Sequence, residues 1–300
     1  MTQFAKLALE IITHMFSLMY LDELMAFASP CRTHRVWVMQ YLNRRKDNYL
    51  IQFVSNPSTL LDALRITSSV ISGSLALQFL LPAVNCSWGA IDMDIYSTQS
   101  GYETILINLL LDGYTMVCNR YSNYYTSFAI NRVIKLVKGN RSIDIIVSQT
   151  NNVLLPILHF HSTVVMNYLS ADSFFSAYPM LTIEYRGLIN RSPYNTNVRS
   201  TARALAKYQY RGFSVQSRAT HWDKEDDSDR NHRCESDLYC PRNIRATLDR
   251  GCARYCFEQP GIIASEETAD VCNKSVVWQL GGEDCQYEDL RWYTYVHTLL

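Results

Sequence analysis

The chain has no excess of charge. In its 300 residues, 28 Lys and Arg stand against 28 Asp and Glu, a formal net charge of zero. Bulk electrostatics therefore give no reason to expect a nucleic-acid partner. No run of about 18 apolar residues is free of charge, so no transmembrane helix and no membrane partner is indicated. The apolar N-terminus is interrupted by Lys6, Glu10, His14, Asp22 and Glu23 and is followed by no small-residue cleavage site, so it does not read as a signal peptide. Nine cysteines, an odd number, without such a signal favour reduced thiols and a cytoplasmic or nuclear setting. What the chain does have is apolar substance. With 48% hydrophobic and 19% charged residues it can bury a core for one large or two modest domains.

The most informative stretch runs from Val70 to Tyr96, VISGSLALQFLLPAVNCSWGAIDMDIY. It reads as a short strand (69–72), Gly73-Ser74, a helix over 75–81, a loop, and a second strand over 91–96. Side chains alternate along a strand, so Asp92 and Asp94 share one face while Ile91, Met93 and Ile95 take the other. Their Cα atoms should lie about 6.6 Å apart. Two carboxylates that close repel and need a counter-charge if buried. A pair of divalent cations roughly 4 Å apart meets that need at phosphoryl-transfer sites. A solvent-facing acidic pair on an edge strand is the plainer alternative. Gly-Ser opening a helix suits phosphate, because Gly lets the backbone approach while the helix N-terminus and the Ser hydroxyl donate. Residues 133–137 and 142–147 read as a hairpin joined by Lys138-Gly139-Asn140-Arg141. The second strand sets Asp144 among apolar residues, where a lone carboxylate is costly, which makes it the natural third ligand.

Gly73-Ser74, Asp92-x-Asp94 and the later strand Asp144 together resemble the nucleotidyltransferase superfold, the DNA polymerase β-like group, over residues 61–149. The form Ser-Gly-Ser-Leu-Ala-Leu looks most like the branch with small antibiotic- and toxin-directed transferases. The resemblance implies an α+β fold with a mixed sheet flanked by helices, and transfer of a nucleoside monophosphate from a triphosphate to an acceptor hydroxyl. It implies Mg2+ held by Asp92, Asp94 and Asp144 as the catalytic residues, and nucleotide bound at Gly73 and Ser74. One departure stands out: residues 75–91, containing Pro82 and Trp88, are longer than the common family spacing. Neither Gly73 nor Ser74 is needed to fill a core, so Gly73→Val is expected to fold.

The first sixty residues read as helical, with Ile11, Ile12, Met15, Phe16, Met19 and Tyr20 at helical spacing and Leu24, Phe27, Ala28 and Cys31 repeating it. Glu10-Ile11-Ile12, Leu21-Asp22-Glu23-Leu24 and Cys31-Arg32 resemble an F-box, although the leading Leu-Pro is missing and Trp37 is shifted. That resemblance implies an apolar face docking a Skp1-type adaptor, and hence a non-catalytic adaptor carrying a degenerate transferase domain as the alternative function. A helical cap on the next domain is the plainer reading. Asn56-Pro57 starts a further helix, and Asp112-Gly113 ends the one over 102–111. Lys135, Lys138 and Arg132 flank the hairpin without an assignable role. A helix is expected from Leu154 to Leu169, with His159 and His161 as packed histidines, and a short one over 203–210.

The last third should be irregular. Residues 222–233 form a charge-rich loop, and six cysteines follow. Zinc on His232, Cys234, Cys240, Cys252 and Cys256 competes there with ordinary buried thiols, and no spacing is Cys-x-x-Cys. The expected organisation is a helical F-box-like segment (1–60), a nucleotidyltransferase-like domain (61–165) and a Cys-rich helical or irregular region (166–300). This order also resembles that of a group of proteins of basidiomycete fungi.

Overall fold

The computed structural model describes residues 7–121, 129–191, 198–222, 234, 237–257, 271, 275–281 and 295–298. Most of the charge-rich run and His232, Cys272 and Cys285 lie outside the described residues, as does much of the tyrosine-rich stretch before Phe128.

Four helices lead: α1 (Leu9–Leu18), α2 (Leu21–Ala28), α3 (Arg32–Leu50) and α4 (Pro57–Ile66). Helix α3 runs for 19 residues. Its C-terminal half carries Arg45 and Lys46, both buried with partners. Arg45 donates to the carbonyls of Gln78 (3.1 Å) and Leu81, and Lys46 Nζ donates to the Ala171 carbonyl at 2.6 Å. A basic side chain with such partners can sit in a core where an unpaired one could not. Helix α4 starts as its sequence requires, with the Asn56 side chain accepting from Ser58 N and Pro57 in the first turn.

The centre is a mixed sheet of eight strands. In chain order these are β1 (Val70–Ser72), β2 (Asp92–Ser97), β3 (Thr115–Tyr121), β4 (Ile130–Lys138), β5 (Arg141–Ser148), β6 (Asn167–Leu169), β7 (Ser173–Ser176) and, later, β11 (Ala253–Cys256). Their spatial order is β11-β7-β6-β1-β2-β5-β4-β3. Only β2 and β5 pair in parallel, and the other neighbours are antiparallel. Helices α5 (Gly73–Leu80) and α6 (Tyr102–Leu111) connect the central strands. The chain continues through α7 (Leu154–Leu158), α8 (Pro179–Ile183), β8 (Arg186–Leu188), α9 (Val198–Tyr210), β9 (Ser214–Gln216) and β10 (Ile244–Ala246), and ends in β12 (Val276–Gln279) and β13 (Tyr295–Thr298). Strands β8 and β9 form a two-stranded sheet, and β10, β12 and β13 a three-stranded one.

Three sequence expectations are corrected here. The helix expected from Leu154 to Leu169 stops at Leu158, and Asn167–Leu169 forms a strand beside β1. The pattern there is a continuous apolar run, which periodicity cannot divide between buried helix and buried strand. Ile91 does not join the inner face of β2; it precedes the strand and is exposed. The region after residue 165 is not merely an extension, because β6, β7 and β11 continue the central sheet.

The two faces of the sheet are covered differently. On one, Met93, Ile95, Ile143 and Ile145 share a core with Ile12, Phe16 and Leu24 of the leading helices and with Phe174 and Phe257. The buried apolar positions of α1 and α2 are thus spent against the chain itself. On the other face, Tyr96 and Ile146 pack with Tyr168, Tyr178 and Trp278. That second face also carries the three aspartates. Among the described residues, no helix is long and apolar enough to cross a membrane.

Candidate active site

Asp92 and Asp94 lie two apart on β2, and Asp144 lies on the parallel neighbour β5 in register with Asp94. Parallel partners in register point the same way, so all three side chains belong to the face away from Met93 and Ile143. The antiparallel neighbour on the other side brings Ser72 opposite Asp94. One residue later the chain turns into α5, setting Gly73 and Ser74 against the carboxylates. The five residues singled out in the sequence therefore lie together. The long connection after α5 does not pull the turn away, because Gln78 fastens it back. Its amide donates to the Trp88 carbonyl, and its Oε1 accepts from Ala90 N, both at 3.1 Å.

Gly73 is indispensable in a way its sequence position does not reveal. Its φ is +68°, in the left-handed region, and a Cβ there would lie 2.3 Å from Asp94 Oδ2. Both Gly73 and Ser74 are buried. The expectation that Gly73→Val folds without difficulty is thus corrected: a side chain needs both a strained backbone and the space that Asp94 occupies. Ser74 Oγ lies 3.3 Å from Asp92 Oδ1 and donates to it.

The electrostatics are those of a site short of positive charge. Asp94 keeps some surface open, yet atoms pack densely around its carboxyl. Burial first, then the charges of Asp92 and Asp144, push it up to about 7, against smaller relief from Lys207 and Lys135. Asp144 is also raised, chiefly by burial, although Lys135 works against the shift. Lys135 Nζ lies 3.6 Å from Asp144 Oδ1, which is an ion pair too long for a hydrogen bond, and that oxygen has no hydrogen-bond partner among the described residues. Asp94 has neither a hydrogen bond nor an ion pair among them.

Three carboxylates with oxygen donors only are the donor type that Mg2+ prefers, and they lack the imidazole and thiolate that mark zinc. The raised Asp94 carboxyl and the unbonded Asp144 oxygen both fit a hard cation. Among the described residues, no three His, Cys, Asp or Glu side chains gather closely enough to hold one ion. As placed, Asp144 is engaged with Lys135. The same finding applies to the described cysteines of the last third. Cys252 Sγ instead contacts the Ala177 and Ala246 carbonyls, at 3.8 and 3.5 Å.

Two contributors had no role assigned from the sequence. Lys135 faces Asp144 across β4 and β5, a register that only the turn at 139–140 fixes. Lys207, on α9, lies near enough to ease Asp94 and to help hold His161 down at about 4, where burial is the main cause. No local pattern links α9 to β2, so only the tertiary fold reveals it. The other basic residues of the hairpin are structural. Lys138 binds Asp112 Oδ2 at 3.1 Å and its carbonyl at 2.6 Å, and Arg132 lies over the Tyr102 and Tyr121 rings. His159 and His161 follow α7 in a turn rather than lying in a helix, and burial lowers both to about 4.

Comparison with protein-family models, with curated proteins and with solved structures finds no match to the chain. The functional reading therefore rests on the geometry and on the residues themselves.

Proposed function

We propose that the protein transfers a nucleoside monophosphate from a triphosphate to an acceptor hydroxyl, in the manner of a nucleotidyltransferase. The observation that carries this is the meeting of a partly buried, mutually repelling carboxylate set with a Gly-Ser turn at a helix N-terminus. The carboxylates call for cations, and the turn, by its free N–H groups, for phosphate. Asp92 and Asp94 would hold Mg2+, with Asp144 as a further ligand. Bound Mg2+ would neutralise charge building on the transferring phosphate. Gly73 leaves room for Asp94 beside the turn, and the start of α5 would set a partial positive charge against the triphosphate. Asp144, whose carboxyl is raised by burial, would be the group to accept the proton of an incoming hydroxyl. Isothermal titration with Mg2+ and each triphosphate tests the reading. Triphosphate binding that requires Mg2+ and disappears in Asp92→Asn is expected, and no binding of any triphosphate by the native protein defeats it.

A second reading, an F-box-type adaptor of a Skp1-like partner with a degenerate transferase domain, is favoured by one observation. Ile11 and Leu18, on one face of α1, are each about half exposed, at 49 and 50%. The inward positions Ile12 and Phe16 are already buried, so only this outer stripe is left for a partner. Capture of Skp1 by the native chain, abolished in Ile11→Asp/Leu18→Asp, would support it.

A further inference from the structure

The loop that makes residues 75–91 long has a second anchorage besides Gln78. Trp88, at its tip, lies beneath Arg211, whose guanidinium carbon sits 3.9 Å from the centre of the indole ring. Arg211 follows the last turn of α9, and its backbone N–H donates to the carbonyls of Lys207 and Tyr208. Tyr208 of the same turn is buried in a small core with Leu77, Leu81, Phe213 and the partly buried Trp88. The inserted loop and the end of α9 are thus packed on the outer side of α5, the helix that begins at Gly73. The guanidinium is also 5.4 Å from the centre of the Tyr208 ring, so two aromatic rings flank it.

Unlike Arg45, Arg132 and Arg245, this arginine donates no side-chain hydrogen bond to any described residue. Its Nη1 is buried, and no described residue accepts a hydrogen bond from it. It makes no ion pair with any described carboxylate, although it lies near enough to Asp92 to feel that charge. Burial accordingly holds the guanidinium below its ordinary value, with only partial relief from Tyr208 and Asp92. A buried guanidinium edge with an unused donor is costly to the free protein. Set within the field of Asp92 and on the flank of the helix that Gly73 and Ser74 open, it is complementary to an anion that reaches beyond them. A planar guanidinium fixed between rings presents its N–H fork to phosphate in a defined direction. Lys207, one turn earlier on α9 and exposed, adds charge on the same side.

We propose that Arg211, held by Trp88, binds the terminal phosphate of a polyphosphate chain whose inner end lies at Gly73 and Ser74. The inserted loop then does not displace the Gly-Ser turn but supplies the rest of the phosphate site jointly with α9. Trp88 is a positioning residue in this scheme. The proposal rests on the nucleotidyl-transfer reading but concerns how much of the triphosphate is held, and by which part of the chain.

The test uses the full chain, Mg2+, and three probes: inorganic tripolyphosphate, the nucleoside triphosphate that binds best, and its monophosphate. Arg211→Gln should weaken tripolyphosphate and triphosphate binding about tenfold, the scale of a charge-assisted hydrogen bond, and leave the monophosphate unchanged. Trp88→Phe, which keeps an aromatic face, should bind nearly as the native chain does, and Trp88→Ala should fall towards Arg211→Gln. Arg211→Gln gives up ring contacts but no internal hydrogen bond, so it should lower the melting temperature only slightly, whereas a structural cation with internal acceptors would lower it much more. Arg211→Lys provides a second variant: keeping charge but losing the planar fork, it should recover only part of the affinity. Equal tripolyphosphate affinity in the native protein and in both Arg211 variants overturns the proposal while leaving nucleotidyl transfer standing. Failure of the native protein to bind any triphosphate overturns both.

Discussion

Two groups of charge in this molecule, one buried and one partly buried, are built on opposite principles. On β10, Arg245 is almost fully buried, and every side of it is answered. Asp249 accepts from Nε at 2.5 Å and from Nη2 at 2.9 Å, the Leu238 and Ala177 carbonyls accept at 3.2 Å, and the Tyr178 and Trp278 rings lie on its flanks. Burial works against the guanidinium, yet Asp249 outweighs it and holds the arginine above its ordinary value, while Arg245 keeps Asp249 below its own. On β2 and β5, by contrast, three carboxylates are set together with only Lys135 and Lys207 to ease them, and the result is an acid pushed up to about 7. A charge whose partners are all internal serves the fold. A charge whose partners are missing costs the fold stability, and that cost is tolerated where something external completes the set. The difference separates a structural ion pair from a site.

The largest expected effect breaks the satisfied group. Arg245→Ala leaves Asp249 without its partner and removes the filling between two rings. Removing one member of a buried pair costs about 3–5 kcal/mol, so denaturant unfolding should show a loss of that size. A loss under about 1 kcal/mol would mean that Arg245 is better hydrated than its burial implies and would weaken the contrast.

The same operation on the unsatisfied group should have the opposite sign. Asp94 binds its proton more tightly in the folded chain, at about 7, than in the unfolded chain, near 3.8. Its stabilising contribution is therefore complete below about pH 4 and is lost as the pH rises through 7. At pH 8 the native protein carries a penalty on the order of a few kcal/mol from this residue alone. Asp94→Asn should remove it, raising stability at pH 8 and losing the advantage by pH 4, while abolishing Mg2+-dependent triphosphate binding. Thermal melts of both proteins across that range check the sign. A variant less stable than native at pH 8 would show that Asp94 is satisfied by contacts beyond the described residues.

How much of this was legible beforehand follows the range of the forces involved. The Gly-Ser turn, the alternation placing Asp92 and Asp94 together, and the hairpin carrying Asp144 are local consequences of strand period and turn chemistry, and they can be read from short stretches. The pairing of Lys135 with Asp144 depends on hairpin register, and that of Arg211 with Trp88 on the approach of α9 to a loop more than a hundred residues earlier. Neither leaves a local signature. Strand β6 was misread as helix because a run buried on all sides has no period to report. The exposure of Ile91 is a boundary effect of a single residue.

A smaller effect tests whether the turn and the carboxylates form one unit. Gly73→Ala should cost about 1–3 kcal/mol of stability, from the left-handed backbone and from contact with Asp94 Oδ2. Part of that cost comes from the carboxylate, so it should shrink in an Asp94→Ala background, where only the backbone strain remains. Strict additivity in this double-mutant cycle would mean that Asp94 yields freely and that the turn and the strand are independent.

The finest comparison concerns one hydroxyl. Ser74 Oγ is buried and lies 3.3 Å from Asp92 Oδ1, a long hydrogen bond directed inward, as the partners of Arg245 are. If the hydroxyl belongs to the fold, its role is to ease Asp92, and Ser74→Ala should alter the binding of Mg2+ alone. If it belongs to the site, it exchanges Asp92 for a phosphate oxygen when triphosphate enters, since a long internal bond is readily given up for a charged acceptor. Ser74→Ala should then leave Mg2+ affinity nearly unchanged and weaken triphosphate binding by about 1 kcal/mol, roughly fivefold, the scale of a single hydrogen bond. The two titrations performed on the same preparation separate the cases. A change in Mg2+ affinity with none in triphosphate affinity would assign Ser74 to the inward-facing class and leave the phosphate to the backbone of the turn.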